Sequence, residues 1–308
     1  MVFSLGFKES YSPRGRMILI KELIEGSLYP SEDLAKRFFL CTLCSSCALK
    51  CPSEIPVHEH VLSIRRLLSS RGLLLRDLKL MVENAMKLGN PRGLNPAIRF
   101  TWLKDKDLLD RRAPILLWIG CTIAYRLQHL AECLVNVFKA IKIDFMLTSR
   151  ELCCGSPLFL AGLEEEARES ASKVQDLVTD LEVKTVVVHC PSCFRMFREI
   201  YPDLGVKLRA KIVHTSQFLL EALGERSLGS KLDYTVTYHD PCELGKHMSV
   251  YECCCGGGGD IWALDPDVAI EAGRERAKEL ARKARTIATS CPVCYMVLRY
   301  ATLRRILM

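Results

Sequence analysis

One cysteine pattern occurs twice in this chain, and its spacing limits the possible folds more than any other feature. Cys153-Cys154-Gly155 is followed by Cys190-Pro191-Ser192-Cys193, and Cys254-Cys255-Gly256 is followed by Cys291-Pro292-Val293-Cys294. Cys154 and Cys255, Cys190 and Cys291, and Cys193 and Cys294 each stand 101 positions apart. A duplication that keeps its cysteine spacing while other residues drift is built around those cysteines. A lone cysteine precedes each copy: Cys121 after the apolar run 115–119, and Cys242 after His239-Asp240-Pro241. These two stand 121 positions apart, so the second copy is 20 residues shorter between its lone cysteine and its pair. The missing section corresponds to a helix and a strand expected within 127–147 of the first copy.

At 308 residues the chain is long enough for two or three domains and a substantial core. The 16 cysteines are therefore not needed as covalent staples. No basic segment followed by an apolar one opens the chain, and no apolar run reaches membrane-spanning length. The expectation is a cytoplasmic protein, with the cytosolic face of a membrane as a place for peripheral association. In that setting C-x-x-C spacing reads as metal ligands or redox thiols. The net charge of +7 is spread over short pairs such as Arg65-Arg66, Arg111-Arg112 and Arg304-Arg305, which does not make a nucleic-acid footprint.

Ser12-Pro13 has the chemistry of a helix start, and Met17, Ile20, Leu23 and Ile24 share one face up to Gly26. A second helix is expected from Ser31, burying Leu34 and Phe38. Cys41-x-x-Cys44-x-x-Cys47-x-x-x-Cys51-Pro52 follows. Three thiolates at this spacing on a tightly turning loop hold three corners of an iron–sulfur cube, and the proline turns the chain away. Zinc is the alternative, but its sites use separated pairs rather than four cysteines within eleven residues. Cys51 either closes this [4Fe-4S] cluster or serves a second one whose other ligands lie elsewhere, since in two-cluster ferredoxins the fourth cysteine ligates the other cluster. A helix over 57–70 buries Val57, Val61, Ile64 and Leu68.

The expected division is a helical ferredoxin-like module over 1–72, a linker over 73–113 with a helix over 73–87, a cysteine-rich repeat over 114–200 and a shortened one over 232–303. Within the first repeat, strands are expected at 115–119, 141–147 and 185–188. Helices are expected at 127–140, at 163–181 and after Cys193. The second repeat should have strands at 234–238 and 286–289 and a helix over 269–284. This order makes the fold α/β with a mainly parallel sheet, and puts Cys121 and Cys190 at strand carboxyl ends, where ligands gather. Five thiols per repeat exceed a tetrahedral site, and adjacent cysteines diverge enough to bind different irons. An iron–sulfur site is expected, with zinc or a dithiol redox pair as the alternatives.

Taken together, the chain resembles the cysteine-rich CCG-domain proteins. These include the iron–sulfur subunits of glycolate oxidase, of anaerobic glycerol-3-phosphate dehydrogenase and of lactate-utilisation complexes, and the heterodisulfide reductase subunits. Ser12-Pro13-Arg14-Gly15-Arg16 and Ile20-Lys21-Glu22-Leu23-Ile24-Glu25-Gly26 look most like the glycolate oxidase branch, where they follow a first ferredoxin run that is absent here. In heterodisulfide reductases the five-cysteine motif holds a non-cubane [4Fe-4S] cluster that cleaves a disulfide. By that resemblance Cys121, Cys153, Cys154, Cys190 and Cys193 hold one such cluster, and Cys242, Cys254, Cys255, Cys291 and Cys294 another. The implied function is an iron–sulfur electron-transfer subunit of an oxidoreductase complex. It would pass electrons from an FAD-binding 2-hydroxy-acid (glycolate- or lactate-type) dehydrogenase subunit to a quinone or other carrier, with a second ferredoxin-like subunit as a further partner. Disulfide reduction at a repeat cluster is the alternative. No flavin or nucleotide fingerprint is present, so an oxidising site would lie on another chain.

Several conspicuous residues have plainer readings. Cys133 is expected as a small core residue and Cys253 as a bystander to the adjacent pair. Gly256–Gly259 lacks the Lys-Ser/Thr of a phosphate loop. His189 and His239 are expected beside the ligands rather than among them.

Overall fold

Helices joined by short loops make up most of residues 8–100. The computed structural model describes residues 8–224, 233–245 and 254–302. Helix α1 (Pro13–Ile24) starts as its sequence dictates: the Ser12 side chain accepts the Gly15 N–H at 2.8 Å and Pro13 occupies the first turn. Helix α2 (Glu32–Phe39) is capped by Ser31 and buries Leu34, Ala35, Phe38 and Phe39. The cysteine loop follows, turning through left-handed Leu43 and Ser45 into the one-turn helix α3 (Ser46–Leu49). Helix α4 (Val57–Ser70) buries the four expected apolar residues, and also Arg65. Helix α5 (Arg76–Leu88) begins three residues later than expected, because Leu73 to Leu75 leave the helix path to pack on the N-terminal core.

The first repeat is a parallel sheet flanked by helices. Strand β1 (Ile115–Trp118) runs into helix α6 (Cys121–Arg126) and helix α7 (Gln128–Ala140). Strand β2 (Phe145–Met146) is shorter than the seven residues expected. Only its two buried residues pair with β1, at Ile115–Phe145 and Leu116–Met146. Helices α8 (Ser156–Leu160) and α9 (Glu164–Asp180) precede strand β3 (Thr185–Val188). Helix α10 (Pro191–Arg195) begins within the C-x-x-C motif rather than after it, because Cys190 is its cap and Pro191 fits its first turn. One π turn, Met196–Ile200, continues it. Strand β4 (Lys211–His214) and helix α11 (Thr215–Leu223) complete the unit. The sheet order is β2-β1-β3-β4, all parallel. Two apolar cores lie on its faces, one around Trp118, Val174 and Val188, the other around Leu117, Phe138 and Val187.

In the second repeat, strand β5 (Val236–His239) pairs in parallel with strand β6 (Thr286–Thr289). Helices α12 (Cys242–Gly245), α13 (Ile261–Leu264), α14 (Pro266–Ala281) and α15 (Pro292–Thr302) surround the pair. β5 pairs with β6 in the register that β1 keeps with β3. Among the described residues no strand takes the place of β2 or β4, so this sheet has two strands. The chain is α/β with parallel sheets. Cys253 and the Arg304-Arg305 pair lie outside the described residues. No described helix is long and apolar enough to cross a membrane.

Candidate metal centres

Cysteines gather in three places: Cys41, Cys44 and Cys47 in the N-terminal loop, and five in each repeat. In the first, the loop after α2 carries Cys41, Cys44, Cys47 and Cys51, all half-buried. Burial raises the Cys47 thiol, and neighbouring charge at Cys41 and Cys44 raises it further, so these three sulfurs share one small space. Cys51 ends the following turn, its N–H donating to Ala48 O at 3.1 Å.

The second group sits at the carboxyl ends of β1 and β3. Burial pushes Cys121 up to about 11, and the sulfurs of Cys154 and Cys190 add to the effect. Cys154 is held well below the usual thiol range because Cys153 and Cys193 donate S–H hydrogen bonds to it. Cys190 is likewise lowered by its hydrogen bond with Cys193. The third group repeats this arrangement. Cys255 is lowered by hydrogen bonds with Cys254 and Cys294, and Cys242 is raised by its bond with Cys254. Backbone N–H groups also point at these sulfurs, from Gly256 to Cys254 at 3.3 Å, Gly257 to Cys255 at 3.4 Å and Cys294 to Cys291 at 3.4 Å.

This is the donor chemistry of an iron–sulfur site: sulfur ligands gathered in a buried pocket and amide donors stabilising their negative charge. Adjacent sulfurs that compete for protons when metal-free are relieved of that competition by binding irons. The residues therefore fit iron–sulfur clusters.

Sequence reasoning missed the charged groups that hold these loops. Glu151, fully buried, accepts the N–H of Gly120 at 2.8 Å and of Ile119 at 3.0 Å, and pairs with Arg99 at 2.6 Å. It thus ties the approach to the Cys153-Cys154 pair to the approach to Cys121. Burial opposes the charge on Arg99, but the Glu151 carboxylate outweighs it and raises Arg99 above its ordinary value. Arg65 is the second such group. Its guanidinium donates to Cys41 O at 2.6 Å, Leu160 O at 2.8 Å, Phe39 O at 3.0 Å and Gly259 O at 3.4 Å, reaching the N-terminal loop and both repeats. Burial lowers it to about 10, which leaves it charged at neutral pH.

All five cysteines of the first repeat open onto one cavity of about 390 Å³. Its far wall belongs to the second repeat, through Gly257, Asp260, Trp262, Val293 and Met296, and Arg92 closes one side. Burial pushes the Asp260 carboxyl up to about 7, against the pull of Arg65 and Arg92. Among the described residues, Asp260 Oδ2 and Arg92 Nε have no hydrogen-bond partner.

Other expectations need correction or placement. Cys133 is exposed on α7, not in the core: its face of the helix is turned to solvent, while Ala131, Leu134, Val135 and Phe138 pack inward. His189 stacks on His214, with ring centroids 6.0 Å apart, and burial lowers it to about 4. His239 lies against the third group, where one ring nitrogen and the sulfurs of Cys255 and Cys294 lie within 4.8 Å of one another. The glycine run 256–259 packs closely: a Cβ on Gly258 would stand 2.6 Å from Thr42 O.

The family model for the CCG cysteine-rich domain matches residues 115–198 and 247–299. A subunit of the dihydromethanophenazine:CoB–CoM heterodisulfide reductase of Methanosarcina acetivorans is 30% identical over 93% of this chain and 77% of its own. An uncharacterized iron–sulfur protein of Methanocaldococcus jannaschii is 24% identical over 84% of this chain and 56% of its own. The EtfAB:quinone oxidoreductase of Syntrophomonas wolfei is 24% identical over 82% of this chain and 42% of its own. With its two cysteine-rich repeats and its heterodisulfide reductase relative, this chain belongs to the CCG cysteine-rich-domain family of iron–sulfur proteins.

Proposed function

We propose that the chain is an electron-transfer subunit of an oxidoreductase complex, and that the first repeat is where electrons leave it, to a disulfide held in the shared cavity. In this reading Cys41, Cys44, Cys47 and Cys51 hold a cubane [4Fe-4S] cluster. Cys121, Cys153, Cys154, Cys190 and Cys193 hold a second cluster, and Cys242, Cys254, Cys255, Cys291 and Cys294 a third. The observation that carries the proposal is the cavity of about 390 Å³ onto which all five first-repeat cysteines open. A cluster on these cysteines would occupy their end of the space, and the opposite walls, Arg92 with Asp260 and Trp262 of the second repeat, are where a disulfide would meet it. A cluster bound there supplies electrons singly, and cleavage of R–S–S–R′ takes two electrons and two protons to give two thiols. Asp260, on the cavity wall with its carboxyl at about 7, can hold one such proton at neutral pH. Arg92 offers positive charge to an anionic substrate or a nascent thiolate.

The resemblance to EtfAB:quinone oxidoreductase favours a second reading, in which electrons pass through the chain to a quinone; the donor in that reading is a flavoprotein dehydrogenase of a 2-hydroxy acid, as the likeness of 12–26 to the glycolate oxidase branch suggests. One experiment separates the two. Protein reduced anaerobically is mixed with the mixed disulfide of coenzymes M and B, or with a simpler anionic disulfide. Thiol release with oxidation of the first-repeat signal supports disulfide reduction. An unchanged signal and no thiol, together with rapid reoxidation by a quinone analogue, overturns it in favour of the second reading.

A further inference from the structure

The two repeats differ at one place beside their cysteines, and the difference is chemical. Trp118 ends β1 and His239 ends β5, and both strands keep the same register with their partners, so the two residues are counterparts. The helices behind them correspond as well. Gly155 packs on Ala167 O and Ser170, and Gly256 packs on Ala269 O and Ala272. In that alignment Arg276 stands where Val174 stands, and Glu279 where Leu177 stands. The first repeat thus buries Trp118, Val174 and Leu177 in one apolar core. The second puts histidine, arginine and glutamate in the same three places.

These three are connected. Arg276, 3% exposed, donates its Nε–H to His239 Nδ1 at 3.3 Å and pairs with Glu279 at 2.7 Å. A guanidinium has donors and no acceptor, so Nδ1 must present its lone pair and the proton of the neutral ring sits on Nε2. A protonated nitrogen does not ligate a metal. It can donate to sulfur, and the His239 ring lies against Cys255 and Cys294.

We propose that His239, oriented by Arg276, donates its Nε2–H to the thiolate sulfur of the second repeat and raises the reduction potential of the centre bound there. This rests on the reading that Cys242, Cys254, Cys255, Cys291 and Cys294 hold a cluster. Reduction adds negative charge to a buried site, and a hydrogen-bond donor on sulfur backed by a guanidinium stabilises that charge. The first repeat has Trp118 and Val174 in the corresponding places, and the guanidiniums near its cysteines, Arg92 and Arg99, act on Cys121.

The test is a redox titration of the whole, cluster-loaded protein followed by EPR, with a Cys291→Ser variant identifying the second-repeat signal. His239→Phe puts an aromatic ring where the first repeat already carries one. It is expected to lower the reduced-to-oxidised ratio of the second-repeat signal about tenfold at fixed potential, about 59 mV for one electron. The other signals should stay in place. Arg276→Met should shift the same signal in the same direction, and His239→Gln, which keeps an N–H donor, should recover part of the loss. A second-repeat signal that keeps its potential in both His239→Phe and Arg276→Met overturns the proposal. So does nitrogen hyperfine coupling of the size expected for a directly bound imidazole. Absence of any second-repeat signal in the unmodified protein instead overturns the ligand assignment beneath it, and the proposal with it. If His239→Phe does not fold, Arg276→Met and His239→Gln still give the potential.

Discussion

Arg65 donates to the carbonyl of Cys41 at 2.6 Å, so the peptide of the first cysteine in the N-terminal run is held by a guanidinium from the middle of α4. The same guanidinium holds Leu160 and Gly259. Replacement by methionine leaves buried carbonyls in three parts of the chain without a donor. The expected cost is about 3 kcal/mol or more in a denaturant titration. Lysine should rescue little, because one ammonium cannot span the carbonyls that a planar five-donor group reaches.

Glu151→Gln leaves Arg99 buried with its charge uncompensated. The expected loss of stability is about 3–5 kcal/mol. Its effect on metal should be local: iron bound by the first repeat is lost or weakened, while iron at Cys41 to Cys51 is retained. Iron and sulfide analysis of the variant checks this.

Asp260 makes stability depend on pH. Burial lifts its carboxyl from 3.8 to about 7. Between these values the folded chain keeps a proton that the unfolded chain has released. Folding is therefore favoured by protons, and stability should fall as pH rises from about 4 to about 7. Asp260→Asn should flatten that part of the curve, as read from denaturant midpoints across the range. In the disulfide assay the same variant should slow thiol release at neutral pH more than at pH 5, where protons are plentiful.

Cys133→Ser is the control. The residue is exposed on α7, so stability should change by less than about 0.5 kcal/mol and iron content not at all.

What the sequence made legible follows from where its signals lie. The strands Thr185–Val188 and Thr286–Thr289 fall where expected, because each is a short run rich in β-branched residues just before a cysteine motif. The cysteine groups are legible because sulfur spacing is itself the motif. Lys211–His214 escaped notice because only Val213 and His214 of its four residues are buried, which leaves no apolar run to see. Helix α6 was hidden by the cysteine that begins it. Arg65, Glu151 and Asp260 were invisible for a different reason. A charged residue looks solvated until its partners are known, and those of Arg65 lie 24, 95 and 194 positions away. The Arg276–His239 pair has the same character, since its members are 37 positions apart.

The glycine run has one more consequence. Gly258 and Gly259 lie directly on the peptides of Cys41 and Thr42, with no side chain between the two loops. If both loops carry metal, an electron moving between them travels along covalent backbone on each side and crosses one narrow gap. Two missing methyl groups then set the length of that jump, and the chain's wiring depends on atoms it leaves out.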